Sequence, residues 1–524
     1  MKRGRGAFAA ALGVAAATAA VLASVGVAHS PASTSASTKT GASTPCKQSG
    51  TLTYGISGAG ISGLDPTVLA FSGQLPLQSL LYNSLTEYKP DGSVVPDLAT
   101  KWRHSKDLKT WWFSLRRNVK YANGRPFTAA DVVANVLRNL DPKVPSLWGP
   151  AIRDVRSVRA VTKYQVRFKL GGASAILPEA LVPVEMSDLT DVPNLNKVGN
   201  GTGPYKVSDF VPDQSLTLVP NPRYYGPKAC LQKITFVREP DPTSMVTDFT
   251  SGKLSVIWQA PLTSLPKIQS DKDVYIVKPK SVSAEHVWDV DDSSPPFDNP
   301  VARQALAYAI DKETMVKAAF FGLALPSLAN SLISTASPNY DKSLKPIPFD
   351  LQKAKQLFTA AGVKPGTTFT FWALAGRRDE WITMAQILQQ DLQKIGLNLQ
   401  IQRNDLSTWI AKFNPPPKRF PNMIVGDFYS LPPNPIAAFG YVTSGRCNCN
   451  WNNKQFDALL LKATATVDPV KRKAVYAQMQ KLFQKELPII TMAHQTNIVA
   501  AQKSVTGVWE DPAGTTRLEG ARMK

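Results

Sequence analysis

The residues of this chain whose types and spacing could do chemistry include four histidines, four cysteines and the glycine pair in "GTGPYKVSDF", residues 201–210. A phosphate loop of the GxxxxGKS type needs Lys and Ser or Thr beside its last glycine, opening a helix, so that backbone amides and an ammonium surround the phosphate. Here Gly203 is followed by Pro204 and Tyr205 and then by "YKVSDFVPDQSLTLVP", whose alternation is that of a strand. Gly201 and Gly203 are therefore read as tight backbone bends at a passage between lobes, a hinge. Hydrolysis would need a nucleophile beside a base, or two carboxylates across a cleft, and neither GxSxG nor HExxH occurs. His286 and His494 are isolated, without a cluster of His, Cys and carboxylates around them. No catalytic residue, metal or cofactor is expected, and the chain reads as a binding protein, not an enzyme.

The whole sequence has 524 residues, 43% hydrophobic and 19% charged, with 11 tryptophans, which suits a soluble chain of several domains. Lys2, Arg3 and Arg5 precede the alanine-rich run "AFAAALGVAAATAAVLASVGVA", read as a signal peptide over residues 1–28. Residues 29–47 are Ser/Thr/Ala/Pro-rich and read as a flexible tether. The formal charge of +21 falls only by three, to +18, when the basic residues of the leader are removed. Such a field draws the protein electrostatically towards anionic membrane or cell wall. Nucleic acid is not expected as a partner, because the charge is scattered along the chain. Four cysteines in an exported chain allow three pairings. The expected one is Cys46 with Cys230 and Cys447 with Cys449; free thiols, a zinc site, or a lipid on Cys46 are the alternatives.

The elements follow from spacing. "TLTYGIS" at 51–57 alternates as a strand, and "KTWWFSLRRNVKYANGRPF" reads as paired strands turning at Asn123-Gly124. Thr128 with Asp131 opens a helix, Asn299 and Pro300 open another, Asp311 restarts it and Gly322 stops it. Asp350 caps a helix that ends at Gly362. Beyond it "FTFWALA", "DEWITMAQILQQDLQKIG" and "LNLQIQ" make a βαβ unit, which predicts a mostly parallel sheet with its ligand edge at the strand ends. The Pro-rich "NPPPKRFP" at 414–421 reads as a loop.

Several stretches in order resemble the family 5 extracytoplasmic solute-binding proteins, the peptide, dipeptide and nickel receptors of ABC importers. They are "GLDPT", "LYNSLTEYKPDGSVVPDLATKW", "WWFSLRRNVKYANGRPFTAADV", "GTGPYKVSDF", "FDNPVARQALAYAIDKETMV" and "WNNKQFDALL" with "RKAVYAQMQKLFQKELPII". The resemblance implies an α/β, two-lobed periplasmic-binding-protein-like fold with mixed sheets and a hinge between lobes. It further implies domain I from 48–82, 200–285 and 490–524, domain II from 83–199 and domain III from 286–489. A polar or peptide-like solute would be held between closing lobes and delivered to ABC permease subunits, and through them to their ATPase, by a monomer outside the cytoplasmic membrane. The alternatives are a surface-attached sensor or adhesin on the same fold, or a secreted hydrolase.

Peptide-binding members carry an Asp that pairs with the peptide's α-amino group in a segment resembling "GWxxDxxDP". The matching stretch here, "VGDFYSLPPNP", has Ser430 or Leu431 at that place and Asn434-Pro435 for the Asp-Pro. Asp427 is the carboxylate left to substitute for it. An ammonium buried without a partner costs several kcal/mol, so ordinary free-amine peptides are excluded unless Asp427 substitutes, and blocked or modified peptides, oligosaccharides or another polar solute are equal candidates. Trp258, Trp288, Trp372, Trp409, Phe428 and Tyr429 fall in segments that line the cleft in similar proteins, where flat rings stack on sugar faces or apolar side chains.

Overall fold

Among the described residues, alternating β-branched and aromatic residues build three sheets of four or more strands, beside four two-stranded ones. The computed structural model describes residues 48–57, 60–68, 75–146, 148–277, 284–375, 378–405, 408–409, 412, 419–430, 434–495, 498–511 and 514–524. The expected signal peptide and tether, with Cys46, lie outside the described residues. The described residues belong to one compact unit, Pro45–Lys524. Among them no helix is long and apolar enough to cross a membrane.

A seven-stranded sheet runs in the order Tyr205–Val211, Ser215–Pro220, Lys233–Glu239, Thr51–Ser57, Val256–Trp258, Val499–Gln502, Val274–Val277. Thr51–Ser57 pairs parallel with Lys233–Glu239 and with Val256–Trp258. Its two faces bury different sets: Leu52, Tyr54, Leu80 and Phe236 on one, and Met245, Phe249, Leu254 and Ile257 on the other.

A six-stranded sheet follows the order Ala324–Pro326, Ile489–Gln495, Ala284–Val290, Met423–Ser430, Thr368–Leu374, Asn398–Asn404. The βαβ unit is present, with Thr368–Leu374 parallel to Asn398–Asn404 and helix Asp379–Lys394 between them. The expectation of a mostly parallel sheet holds only for the outer three strands, since Ala284–Val290 is antiparallel to both neighbours. The reason is connectivity: Ala284–Val290 enters from the seven-stranded sheet and Ile489–Gln495 returns to it, so these strands are not joined by crossover helices. Trp288 and Val290 feed the core under one set of helices, Val287 the core under the other, as a period of two requires. The chain thus passes between the large sheets twice, between Val277 and Ala284 and between Gln495 and Val499.

The third sheet has four antiparallel strands, Ala99–His104, Thr110–Leu115, Gln165–Leu170 and Val155–Thr162. Helix Ala129–Leu140 covers one face, with the Asp131 carboxylate accepting from the Thr128 N–H at 2.7 Å and from its hydroxyl at 2.9 Å. The expected pairing across Asn123-Gly124 shrinks to a single bridge, Lys120 to Pro126. Asn118, with φ of 64°, turns the chain away, and Thr110–Leu115 pairs instead with strands on either side.

Gly201 and Gly203 join this sheet to the seven-stranded one. Neither has positive φ; both are needed for close approach, because a β-carbon on either would overlap the Leu80 and Leu81 carbonyls. The Gly203 N–H donates to Leu81 O at 2.9 Å and Ala122 N–H to Gly201 O at 2.9 Å. They form a packed junction, and the two passages between the large sheets lie elsewhere.

Candidate functional site

In open α/β sheets ligands bind outside the carboxyl ends of parallel strands. In the six-stranded sheet those ends are Leu374, Asn404 and Ser430; in the seven-stranded sheet they include Ser57 and Trp258. Asp427 lies on the Met423–Ser430 strand, opposite Val287, and is 8% exposed. Its Oδ2 accepts from Asn448 Nδ2 at 3.2 Å. Asn448 is the one residue spanned by the Cys447–Cys449 disulfide. The cysteine turn is fixed in turn: Asp292 N–H donates to Cys449 O at 2.8 Å, and Asn450 Nδ2 to Asp291 Oδ1 at 2.8 Å. Asp291 Oδ2 also accepts from the Phe420 N–H at 2.8 Å. Burial alone would raise the Asp291 carboxyl, but these donors together with Ser293 and Ser294 outweigh it and hold the group below the usual carboxylate range. One carboxylate therefore ties both the cysteine turn and the start of the strand that carries Asp427. Cys230 is also disulfide-bonded, and its expected partner Cys46 lies outside the described residues.

Gly426 precedes Asp427 and has no room for a side chain, since a β-carbon there would come within 2.6 Å of the Trp381 ring. Its carbonyl accepts from Trp409 Nε1 at 3.3 Å. Trp409 and Trp372, both half-buried, pack with Phe420 and Val425, and the Lys412 ammonium sits 5.7 Å from the Trp372 ring centre. Trp372, Trp409 and Asp427 are thus gathered at one edge of the six-stranded sheet. Trp258 is 6% exposed at a strand end, and its Nε1 has no hydrogen-bond partner among the described residues. Gln259 after it, with φ of 53°, turns the chain sharply. Trp288, expected to line the cleft, is instead a core residue: it is fully buried, edge-on to Phe371 with centres 5.0 Å apart. Phe428 and Tyr429 pair through their backbones with His286 and Glu285, and their side chains lie outside the described residues.

Polar groups that sequence reasoning did not single out cluster beside the passages between sheets. Glu285 pairs with His494, and the Lys312 ammonium donates to Ser327 O at 2.8 Å and Asn330 Oδ1 at 3.2 Å, all of them buried. Burial raises the Glu285 carboxyl, opposed by His494 and Lys312; burial pushes the Lys312 amine down to about 7, opposed by Glu285. His286 is held on both sides, its Nδ1 accepting from Trp381 Nε1 at 2.9 Å and its Nε2 within 2.6 Å of Gln495 Oε1. Burial, aided by the Arg378 charge, lowers its pKa to about 3, so the ring is neutral and donates to Gln495. The signal in the sequence was charge inside an apolar strand, "AEHVWDV". Neither histidine belongs to a metal-binding set: among the described residues no three His, Cys, Asp or Glu side chains are grouped to hold an ion.

The four-stranded unit also touches the helices of the six-stranded one. The Ala175 N–H donates to Thr464 O at 2.8 Å, Ile176 packs on the cluster holding Phe439, Phe456 and Tyr476, and Asn434 Nδ2 donates to the Glu179 carboxylate. Burial raises the Glu179 carboxyl, partly offset by Arg472.

Residues 93–448 match the model of the bacterial extracellular solute-binding proteins, family 5 middle region. The nickel-binding periplasmic protein of Escherichia coli (strain K12) is 26% identical over 483 residues, covering 84% of this chain and 89% of that protein. The dipeptide-binding protein of the same strain is 24% identical over 516 residues, covering 91% of this chain and 95% of that one. The crystal structure of a dipeptide-binding protein from Pseudoalteromonas sp. SM9913 in complex with Met-Leu, 26% identical, superimposes with a TM-score of 0.78 over 91% of this chain and all of that chain. With the family model matching well over half its length, this chain belongs to the bacterial extracellular solute-binding proteins, family 5.

Proposed function

We propose that the protein is the extracytoplasmic receptor of an ABC importer, closing two lobes on a polar, peptide-like solute and handing it to the permease without altering it. The observation that carries this reading is that Asp427 neighbours two half-buried tryptophans, Trp409 bonding the Gly426 carbonyl beside it and Trp372 packing on Val425 two residues before it. Relatives named for dipeptides share the fold at nearly full length, which supports a solute with an amino group. Asp427 supplies the countercharge, the two half-buried rings supply flat apolar contact, and Trp258 contributes an indole N–H from the opposing sheet.

Domains I and II, the seven- and four-stranded sheets, form one lobe across the Gly201–Gly203 junction, and domain III forms the other. Closure then moves domain III relative to domains I and II, and the Gly201–Gly203 junction stays inside one lobe. A ligand favours closure only through contacts that the open form lacks. The protein acts as a monomer, without cofactor, metal or turnover.

The test is calorimetric titration with a free dipeptide and its N-acetylated form, repeated with Asp427→Asn. Tighter binding of the free amine, lost in the variant, supports the reading. Tight binding of the free dipeptide that the variant leaves unchanged contradicts it.

A further inference from the structure

The outward face of the four-stranded sheet carries basic side chains and no acid. Cross-strand registers set Arg103 opposite Trp112, Trp112 opposite Arg167, and Arg167 opposite Arg159, one continuous row across all four strands. Lys101 flanks the row on one side and Lys169 on the other. Neighbours along these strands, Phe113, Val158, Val166 and Phe168, point into the core, so the row stands on the opposite face. The strands themselves, "ATKWRH", "TWWFSL", "VRSVRAVT" and "QVRFKL", contain no Asp or Glu.

Like charges directly opposite each other on adjacent strands destabilise a sheet, and Arg159 and Arg167 are such a pair. Among the described residues none of the five cations has a carboxylate partner. Arg103 instead sits over the Trp112 ring, 3.9 Å from its centre, which seats one cation against an amphipathic aromatic.

We propose that this face docks the protein on the phosphate headgroups of an anionic lipid bilayer. Strands about 4.8 Å apart spread the row over roughly 15 Å in two dimensions, which matches a planar array of phosphates. A linear polyanion is tracked by a groove, whereas this row crosses the face of a sheet. A tryptophan among lysines and arginines is also the composition found where proteins meet the headgroup layer. The inference is independent of which solute the cleft holds.

The test uses processed protein purified from exporting cells, co-sedimented with vesicles of phosphatidylcholine alone or with roughly one-third phosphatidylglycerol, a content that gives a negative surface potential. Binding to the anionic vesicles only, weakened by salt, is expected. The triple variant Arg103→Ser, Arg159→Ser, Arg167→Ser lowers partitioning on the order of a hundredfold. A control removing as many exposed charges from the helices of the other lobe, Lys454→Ser, Lys471→Ser, Lys473→Ser, changes it far less. Equal loss in the two triples overturns the proposal in favour of net charge alone, and binding to soluble polyphosphate without binding to vesicles overturns the membrane assignment. Unchanged thermal melting shows that the triple variant is folded, and Arg159→Glu alone is a second variant expected to weaken binding at least tenfold.

Discussion

The Asp427 carboxylate is held by the side-chain amide of Asn448 at 3.2 Å, and Asn448 is the residue enclosed by the Cys447–Cys449 disulfide. A hydrogen bond to a charged group is worth about 1.5–3 kcal/mol when its loss leaves that charge misplaced. Asn448→Ala is therefore expected to weaken solute binding about tenfold, and Cys447→Ala with Cys449→Ala to weaken it similarly. Titration calorimetry reads both; unchanged affinity in the two variants would detach Asp427 from the cysteine turn.

Ile176 packs on the helices of the six-stranded unit, away from the Asp427 strand, and in the proposed clamp this contact joins the two lobes when they close. Ile176→Ala should speed solute dissociation about fivefold, equivalent to about 1 kcal/mol, with association unchanged. Stopped-flow tryptophan fluorescence separates the two rates. A slower association with normal dissociation would mean that Ile176 acts before closure.

Gly203→Ala places a methyl group on the Leu80 carbonyl in a junction with no slack. The expected cost is roughly 1–3 kcal/mol of stability, as for other overpacked sites. Denaturant unfolding measures it. Affinity in the folded variant should stay normal, whereas a hinge at Gly203 would change affinity more than stability.

His286 is neutral in the folded protein because burial lowers its pKa from 6.5 to about 3. The unfolded chain binds a proton there between those values and the folded chain does not. Stability therefore rises with pH across that window and is lost on acidification. From pH 7 to pH 5 the loss from this group is about 2 kcal/mol. His286→Gln should flatten that part of the pH–stability profile measured by urea unfolding; an unaltered slope would place the titration elsewhere.

Helix boundaries were legible because caps are local: Asn299, Asp311 and Asp350 each accept from an N–H two or three residues on, as their spacing implied. The βαβ unit was legible for the same reason, since its period changes within one stretch of chain. The roles of the tryptophans were not. Trp288 and Trp372 both sit in strands, yet one faces the helices and the other the small cluster with Phe420, a difference set by neighbours remote in sequence. The buried group of Glu285, His494 and Lys312 was equally hidden, because its members come from three elements. Asn448 gave no signal of its own; only the geometry of the cysteine turn brings it to Asp427.

The most direct measurement places fluorophores at Val211→Cys, on an edge strand of the seven-stranded sheet, and Leu461→Cys, on an exposed helix of the other lobe, and follows energy transfer between them. Both native positions are well exposed, at 39% and 72%, and no described cysteine is free to react. Closure on a solute predicts a shorter distance when it is added, full recovery after dialysis, and the same solute returned intact. Saturating binding with no change in distance, or a solute chemically altered on release, would contradict a receptor that works by closing.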